Sequence, residues 1–318
     1  MAEVALRDDA IAVGERFAVA FQRTLRVPAD GATYPLPPAL GRLPVTAVET
    51  LGERAPASLR ERGSFLIPLH QREALWLAFD GAPWKPNAVQ VGVGEVNAIS
   101  AEPWDVGLRA EPQNYLVCPD QLWLDGINAG EEVVRQFVAV PLGGGATVEG
   151  QLTGAERVGG IQLRVFEPRP GRFPDRPPPR AELAPEGRPQ ASTRLGVGAG
   201  GTLRQKIYPD GHGLHSWDPD SAVSLSLQLV NSDQYRALTG REPPASPVSA
   251  ATYSEHGLPW FELYDEAAGD VPAAERLAGV EPIEDKDDSL TLDPSQVRRI
   301  APGGGPERRA KPGGEART

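Results

Sequence analysis

Cysteine is almost absent from this chain of 318 residues: Cys118 stands alone. No disulfide can form within a monomer, which excludes a small secreted architecture held by crosslinks. Long apolar runs are missing too. A membrane-spanning helix needs roughly 20 consecutive apolar residues, and the longest uninterrupted runs, such as Ala74–Phe79, are the length of a strand. Basic side chains are outnumbered, 32 against 43 acidic, for a formal net charge of -11. Such a surface repels nucleic acid and anionic membranes. The first residues include Glu3, Asp8 and Asp9, where a secretory leader carries net positive charge. The expectation is a soluble, cytoplasmic protein with no nucleic-acid partner and no membrane insertion.

Glycine (35) and proline (33) are plentiful, together more than a fifth of the chain. That density of punctuation disfavours long helices and favours strands and turns. One helix is nevertheless expected at the start. Val13, Phe17, Phe21 and Leu25 recur at every fourth position, with Glu15, Arg16, Gln22 and Arg23 among them, which predicts an amphipathic helix over 8–26 ended by Pro28. Residues 1–27 therefore form an N-terminal helical unit in this reading.

Residues 28–265 read as one β-rich domain, beginning with a Pro-rich stretch over 28–63 that wraps the surface. Phe65–Leu69 and Ala74–Phe79 follow as short apolar strands, with Trp76 and Phe79 assigned to the core. Ala88–Val93 and Val96–Ser100 flank Gly92 and Gly94 as a hairpin or bulge. Asp125-Gly126 is read as a tight turn. Val133–Val140, Ala146–Leu152 and Ile161–Phe166 read as a meander. Residues 167–190 are a Pro-rich loop. Val223–Val230 alternates cleanly, with Ser224, Ser226 and Gln228 between its apolar members, and a short helix is expected near Ser232–Leu238. The segments after the loop are too few to bury enough surface alone, so they are expected to complete the sheets of the first part. Residues 266–318 lose apolar content and read as a disordered tail. The predicted fold is mainly β, an antiparallel sandwich or distorted barrel with an N-terminal helix.

Motifs that carry chemistry fail their context. Gly196-Val-Gly-Ala-Gly-Gly201 matches a dinucleotide fingerprint, but no strand precedes it in the sequence pattern and Pro209 follows too soon for a helix. A flexible or bulged glycine run is the expected reading. Gly143–Gly145 lacks the Lys-Ser/Thr of a phosphate loop. His212, His215 and Asp218, with Asp210 and Asp220 nearby, could hold a divalent metal ion, though in no standard spacing. An exposed Gly/Pro/Asp turn is the plainer reading. Cys118 has no histidine near it in sequence and reads as a buried thiol at a strand end. Trp76, Trp84, Trp104 and Trp123 invite sugar stacking and are more simply core residues.

Three stretches are distinctive: Asp120-Gln-Leu-Trp-Leu-Asp-Gly-Ile-Asn-Ala-Gly130, Val134–Leu142 continuing to Gly154, and Val230-Asn-Ser232 with Leu258-Pro-Trp-Phe261. Over about residues 20–265 the chain resembles an uncharacterised microbial protein family without established activity, some members of which are labelled integral membrane proteins. In the family pattern a proline stands where this chain has Leu122, and an aromatic near Ala146. The resemblance implies common ancestry and transfers no catalytic residue.

The functional expectation is a soluble, non-catalytic binding or self-assembling protein, a homo-oligomer without cofactor. Asn114, Cys118, Asp120, Trp123, Asp125 and Asn128 are the candidate ligand-binding residues, with 114–130 as one wall of a site. The alternatives are a metal-dependent enzyme built on His212, His215 and Asp218, and a carbohydrate- or peptide-binding module.

Overall fold

A computed structural model describes residues 2–62, 65–176, 196–244, 249–255, 260–263, 269–272, 274–283 and 294–300. The strands in chain order begin with Val4–Arg7 (β1), Ala10–Val13 (β2), Phe17–Thr24 (β3), Thr33–Tyr34 (β4), Ala39–Arg42 (β5) and Thr46–Ala47 (β6). Phe65–Pro68 (β7), Ala74–Asp80 (β8), Asn87–Val93 (β9), Val96–Asn97 (β10), Leu116–Cys118 (β11), Trp123–Leu124 (β12) and Gly126–Gly130 (β13) follow. The last are Val133–Val140 (β14), Ile161–Phe166 (β15), Gly196–Arg204 (β16), Val223–Val230 (β17), Trp260–Leu263 (β18) and Val297–Ile300 (β19). Short helices are Ala57–Arg62 (α1), Val148–Thr153 (α2), Ser232–Thr239 (α3), Ala250–Glu255 (α4) and Glu275–Ala278 (α5).

The fold is mainly β. A ten-stranded sheet runs β1-β2-β3-β8-β14-β16-β4, with β5, β12 and β13 attached. A seven-stranded sheet runs β10-β9-β15-β17-β7-β6, with β11 on β9. Neither closes into a barrel, and both are mixed: β16 pairs β4 and β17 pairs β7 in parallel, while the other pairs within them are antiparallel. The core joins inward residues of both sheets, among them Phe17, Phe21, Leu75, Phe137, Val91, Leu163 and Leu227. Each such side chain withdrawn from water contributes about 1.5–3 kcal/mol.

The expected N-terminal helix is instead the meander β1-β2-β3. A spacing of four is also a multiple of two, so Val13, Phe17, Phe21 and Leu25 share one face of extended backbone as well as of a helix. The remaining odd positions decide the matter: Ile11, Val19 and Val27 are apolar and fully buried, Arg23 is buried in an ion pair with Glu73, and Glu15 lies in the turn between β2 and β3. β-Branched and aromatic residues reinforce the extended state. Asp8 and Asp9, with φ of 46° and 54°, make the two-residue turn between β1 and β2.

Other expectations shift for related reasons. Ala146–Leu152 is a helix rather than a strand: the Thr147 side chain accepts from the Gly150 N–H at 2.9 Å and caps α2, and Gly154 ends it at φ 76°. Strands β14 and β15 lie in different sheets, so no meander joins them. Asp125-Gly126 is no turn. Gly126 opens β13, and a Cβ there would lie 2.0 Å from the Arg135 carbonyl oxygen, so only glycine fits. Within β8, Leu75, Leu77 and Phe79 face inward, which turns Trp76 outward against Trp123 at 6.2 Å. The expected hairpin at Gly94 is present as β9–β10. The glycine run Gly196–Gly201 lies in β16, with a bulge opposite Gln136. The chain returns to complete both sheets through β16 and β17, and α3 stands where a helix is expected, capped by Asn231 and Gly240.

The packed body reaches beyond residue 265. Val271, Leu277 and Val280 are buried, and the Ile283 N–H donates to the Ala199 carbonyl at 2.9 Å. Most of the Pro-rich loop (177–190) and the end of the expected tail (301–318) lie outside the described residues.

Candidate functional site

The 114–130 segment is elaborate because it organises backbone. The Asn114 side-chain oxygen accepts from the Arg109 N–H at 2.8 Å, and its nitrogen donates to Glu102 Oε2 at 3.0 Å and the Gly107 carbonyl at 2.8 Å. Asn128 Nδ2 donates to the carbonyls of Val271 and Pro272, each at 3.2 Å, while its oxygen accepts from Gly130 N–H. Both asparagines are buried and occupied. Cys118 is sealed in the core, where burial, with help from Asp120, pushes its thiol well up. Asp125 is buried as well. Its N–H donates to Gln205 Oε1 at 2.9 Å, and Gln205 Nε2 donates to Asp125 Oδ2 at 3.0 Å. Loss of hydration raises its pKa to about 8 against the hydrogen bonds from Gln205 and Trp123. Of the six candidates, only Asp120 and Trp123 reach solvent.

The histidine-rich turn folds onto this wall. Asp210 is its hub: Oδ2 accepts from Tyr115 Oη at 2.5 Å and Trp217 Nε1 at 2.8 Å, and Oδ1 accepts from the His212 N–H at 2.7 Å. His212 lies 3.5 Å from Asp120 and edge-on to Phe173 and Trp217. His215 instead meets Arg172 at 2.5 Å, and Asp218 caps the turn Pro219–Ser221. His212, His215 and Asp218 thus face three different neighbours. Among the described residues no group of three or more His, Cys, Asp or Glu is placed to hold a metal ion.

The Gly143–Gly145 loop does cradle an anion, and that anion is internal. The Glu156 carboxylate accepts from the N–H groups of Gly145 and Thr147, each at 3.1 Å, from that of Gly143, and from Thr147 Oγ1 at 2.6 Å. Burial alone would raise its pKa; these bonds outweigh it and hold the group below the ordinary value.

A different surface has the makings of a binding site, the outer face of the seven-stranded sheet. Alternation sends Gln90 and Gly92 of β9, Gln162 and Arg164 of β15, and Ser224 and Ser226 of β17 outward. Register aligns them in two rows: Gly92–Gln162–Ser226 and Gln90–Arg164–Ser224. One end of this face is covered by an apolar cluster of Val48, Leu51, Leu59, Leu66, Val230, Tyr235 and Leu238. The other end is covered by Ala88, Tyr115, Val117, Phe166 and Trp217. Between them Ser224, Ser226 and Arg164 reach solvent, while Gln90, Gly92 and Gln162 are buried. Trp104 crosses the stripe: a Cβ on Gly92 would come within 2.5 Å of its ring, and the Arg164 guanidinium sits 4.8 Å from the ring centroid.

Trp104 separates two hollows. The larger, about 830 Å³, is lined by Trp104, Gln162, Ser224, Ser226, Phe65, Arg60, Glu49 and Glu61 among others. The smaller, about 450 Å³, has Glu95, Asp105 and Arg276 on its walls. Gln162 is only 5% exposed; its Nε2 donates to the Gly159 carbonyl at 2.8 Å, and its Oε1 has no hydrogen-bond partner within the chain. Gln90 Oε1 and Gln228 Nε2 are in the same position. A buried amide group left so costs about 1–3 kcal/mol. The signal for this face was in the sequence, since Ser224, Ser226 and Gln228 are the polar half of the cleanest alternation. What linear reading misses is that the alternating half of β15 and β9 aligns with it. Trp104, Trp76 and Trp123 are half-buried outside the core, whereas Trp217 and Trp260 are the fully buried tryptophans. No family model, no curated protein and no solved structure matches this chain.

Proposed function

We propose that this protein is a non-catalytic binding module that takes a neutral oligosaccharide along the groove divided by Trp104. The observation that carries this reading is Gln162. It is a buried residue on the wall of an 830 Å³ hollow, its acceptor oxygen shielded from solvent and without a hydrogen-bond partner in the chain, beside Ser224, Ser226 and an indole wall. Sugar hydroxyls donate and accept at once, so they suit amide and hydroxyl side chains presented from a sheet face. A peptide strand is recognised chiefly by backbone hydrogen bonds at a sheet edge, and this groove lies on a face.

The test is a glycan array followed by calorimetry on the best ligand. Trp104→Ala and Gln162→Leu are each expected to weaken binding about tenfold or more, while Trp84→Ala leaves it unchanged. Gln162→Leu also exchanges the Gly159 bond for relief of the unpaired oxygen, so its melting temperature is expected to stay level or rise. An array without hits for folded protein, or affinity indifferent to Trp104→Ala and Gln162→Leu, would overturn the reading.

A further inference from the structure

We propose that two copies of this chain associate through β1, edge to edge and antiparallel, about a two-fold axis at Ala5. β1 ends the order of the larger sheet and, among the described residues, has β2 as its one strand neighbour. The Glu3 carbonyl accepts from the Gly14 N–H at 2.7 Å. Backbone direction alternates along a strand, so Glu3, Ala5 and Arg7 turn their polar groups toward β2 and Val4 and Leu6 turn theirs outward. The register Val4↔Val13 and Leu6↔Ile11 places the side chains of Val4 and Leu6 on the core side of the sheet. There Ile11 and Val13 are buried, but Val4 and Leu6 are 37% and 41% exposed, two of the three large apolar side chains left open among the described residues.

The occupant is a second copy because Glu3-Val4-Ala5-Leu6-Arg7 is complementary to itself. Laid antiparallel about Ala5, Val4 meets the partner's Leu6, in the position where both outward N–H and C=O groups are exchanged. Glu3 meets the partner's Arg7 in the non-bonded position, where facing Cα atoms approach to about 4.5 Å and side chains interact most closely. Neither Glu3 nor Arg7 joins an ion pair within the monomer among the described residues. The pairing continues the core-side apolar rows as Ile11, Leu6, then the partner's Val4. β1 is short and ends in the charged Arg7, but it carries no proline, lysine or bulge that would bar a partner strand.

Sedimentation velocity of the full chain over a concentration series tests this. A reversible dimer is expected. Glu3→Arg and Arg7→Glu each set like charges opposite one another twice, and each should raise the dissociation constant about tenfold. The Glu3→Arg/Arg7→Glu double variant should return it to near the starting value. A monomer at every concentration, a dimer indifferent to the single variants, or a double variant no tighter than the singles would each overturn the proposal.

Discussion

Replacing Asp125 with asparagine should abolish a stability slope that the native protein carries across the neutral range. Asp125 is buried against Gln205, and dehydration raises its pKa from 3.8 to about 8. In the unfolded chain the carboxyl ionises near its ordinary value. Between these values the folded state holds a proton that the unfolded state has released. The sign follows: the contribution is complete below pH 3.8, declines as pH rises, and is lost once pH passes about 8. Each pH unit in that window costs about 1.4 kcal/mol. From pH 5 to pH 7 the native protein should therefore lose roughly 3 kcal/mol at this site. Asparagine copies the neutral carboxyl closely. Its oxygen accepts from Gln205 Nε2 as Oδ2 does at 3.0 Å, and it cannot ionise. Urea unfolding of both proteins at a series of pH values isolates the effect, because all other titrating groups cancel in the difference. The stability of Asp125→Asn relative to the native protein should climb by about 3 kcal/mol over those two units. Parallel stability curves across pH 5–7 would refute the reasoning, since they would mean that Asp125 ionises in the fold at its ordinary value.

The other predictions rest on single contacts. Gly201→Ala places a Cβ 1.9 Å from the Pro28 carbonyl oxygen and should cost about 1–3 kcal/mol or more, whereas Gly211→Ala, with open space around it, should be near neutral by thermal denaturation. Arg23 and Glu73 form an ion pair with side chains 6% and 0% exposed, and burial lowers the arginine pKa to about 10. Either Arg23→Met or Glu73→Met alone should cost about 3–5 kcal/mol, and the double variant much less than their sum. A double-mutant cycle in urea checks this, and strict additivity would count against it. The Cys118 thiol should react with a disulfide reagent only as fast as the protein opens, so labelling and unfolding rates should coincide.

Much of the architecture was legible in the sequence, because alternation is local. Val223–Val230 announces itself as a strand with one wet face, and Asn231 and Gly240 mark the helix between them. The first 27 residues misled for a definable reason: apolar spacing of four satisfies both periods, and the odd positions between must break the tie. At Ala146–Leu152 the capping threonine outweighed an alternation that continued for too few residues to carry weight. The candidate site was harder to read. Asn114, Asp125 and Asn128 are polar residues of the kind that bind ligands, and each is consumed by backbone or by Gln205 inside the fold. Gln90 and Gln162 looked unremarkable singly, and their alignment depends on the β9–β15–β17 register, which no local pattern encodes. The proximity of Asp120 to His212 is likewise a product of tertiary folding.

The two apolar clusters that flank the polar stripe have a dynamic consequence. Neither belongs to the contiguous core between the sheets; each rests on the sheet's outer surface and is expected to open as a unit of its own. The bank formed by the segment Val48–Arg54 with α1 and α3 can open without disturbing the strands beneath it, and amide exchange there should run ahead of global unfolding. A ligand lying across the stripe would touch the loop of Trp104 on one side and Val48 and Arg60 on the other. Its occupancy would register as slowed exchange in segments more than forty residues apart in sequence, coupled through the bound molecule rather than through the fold.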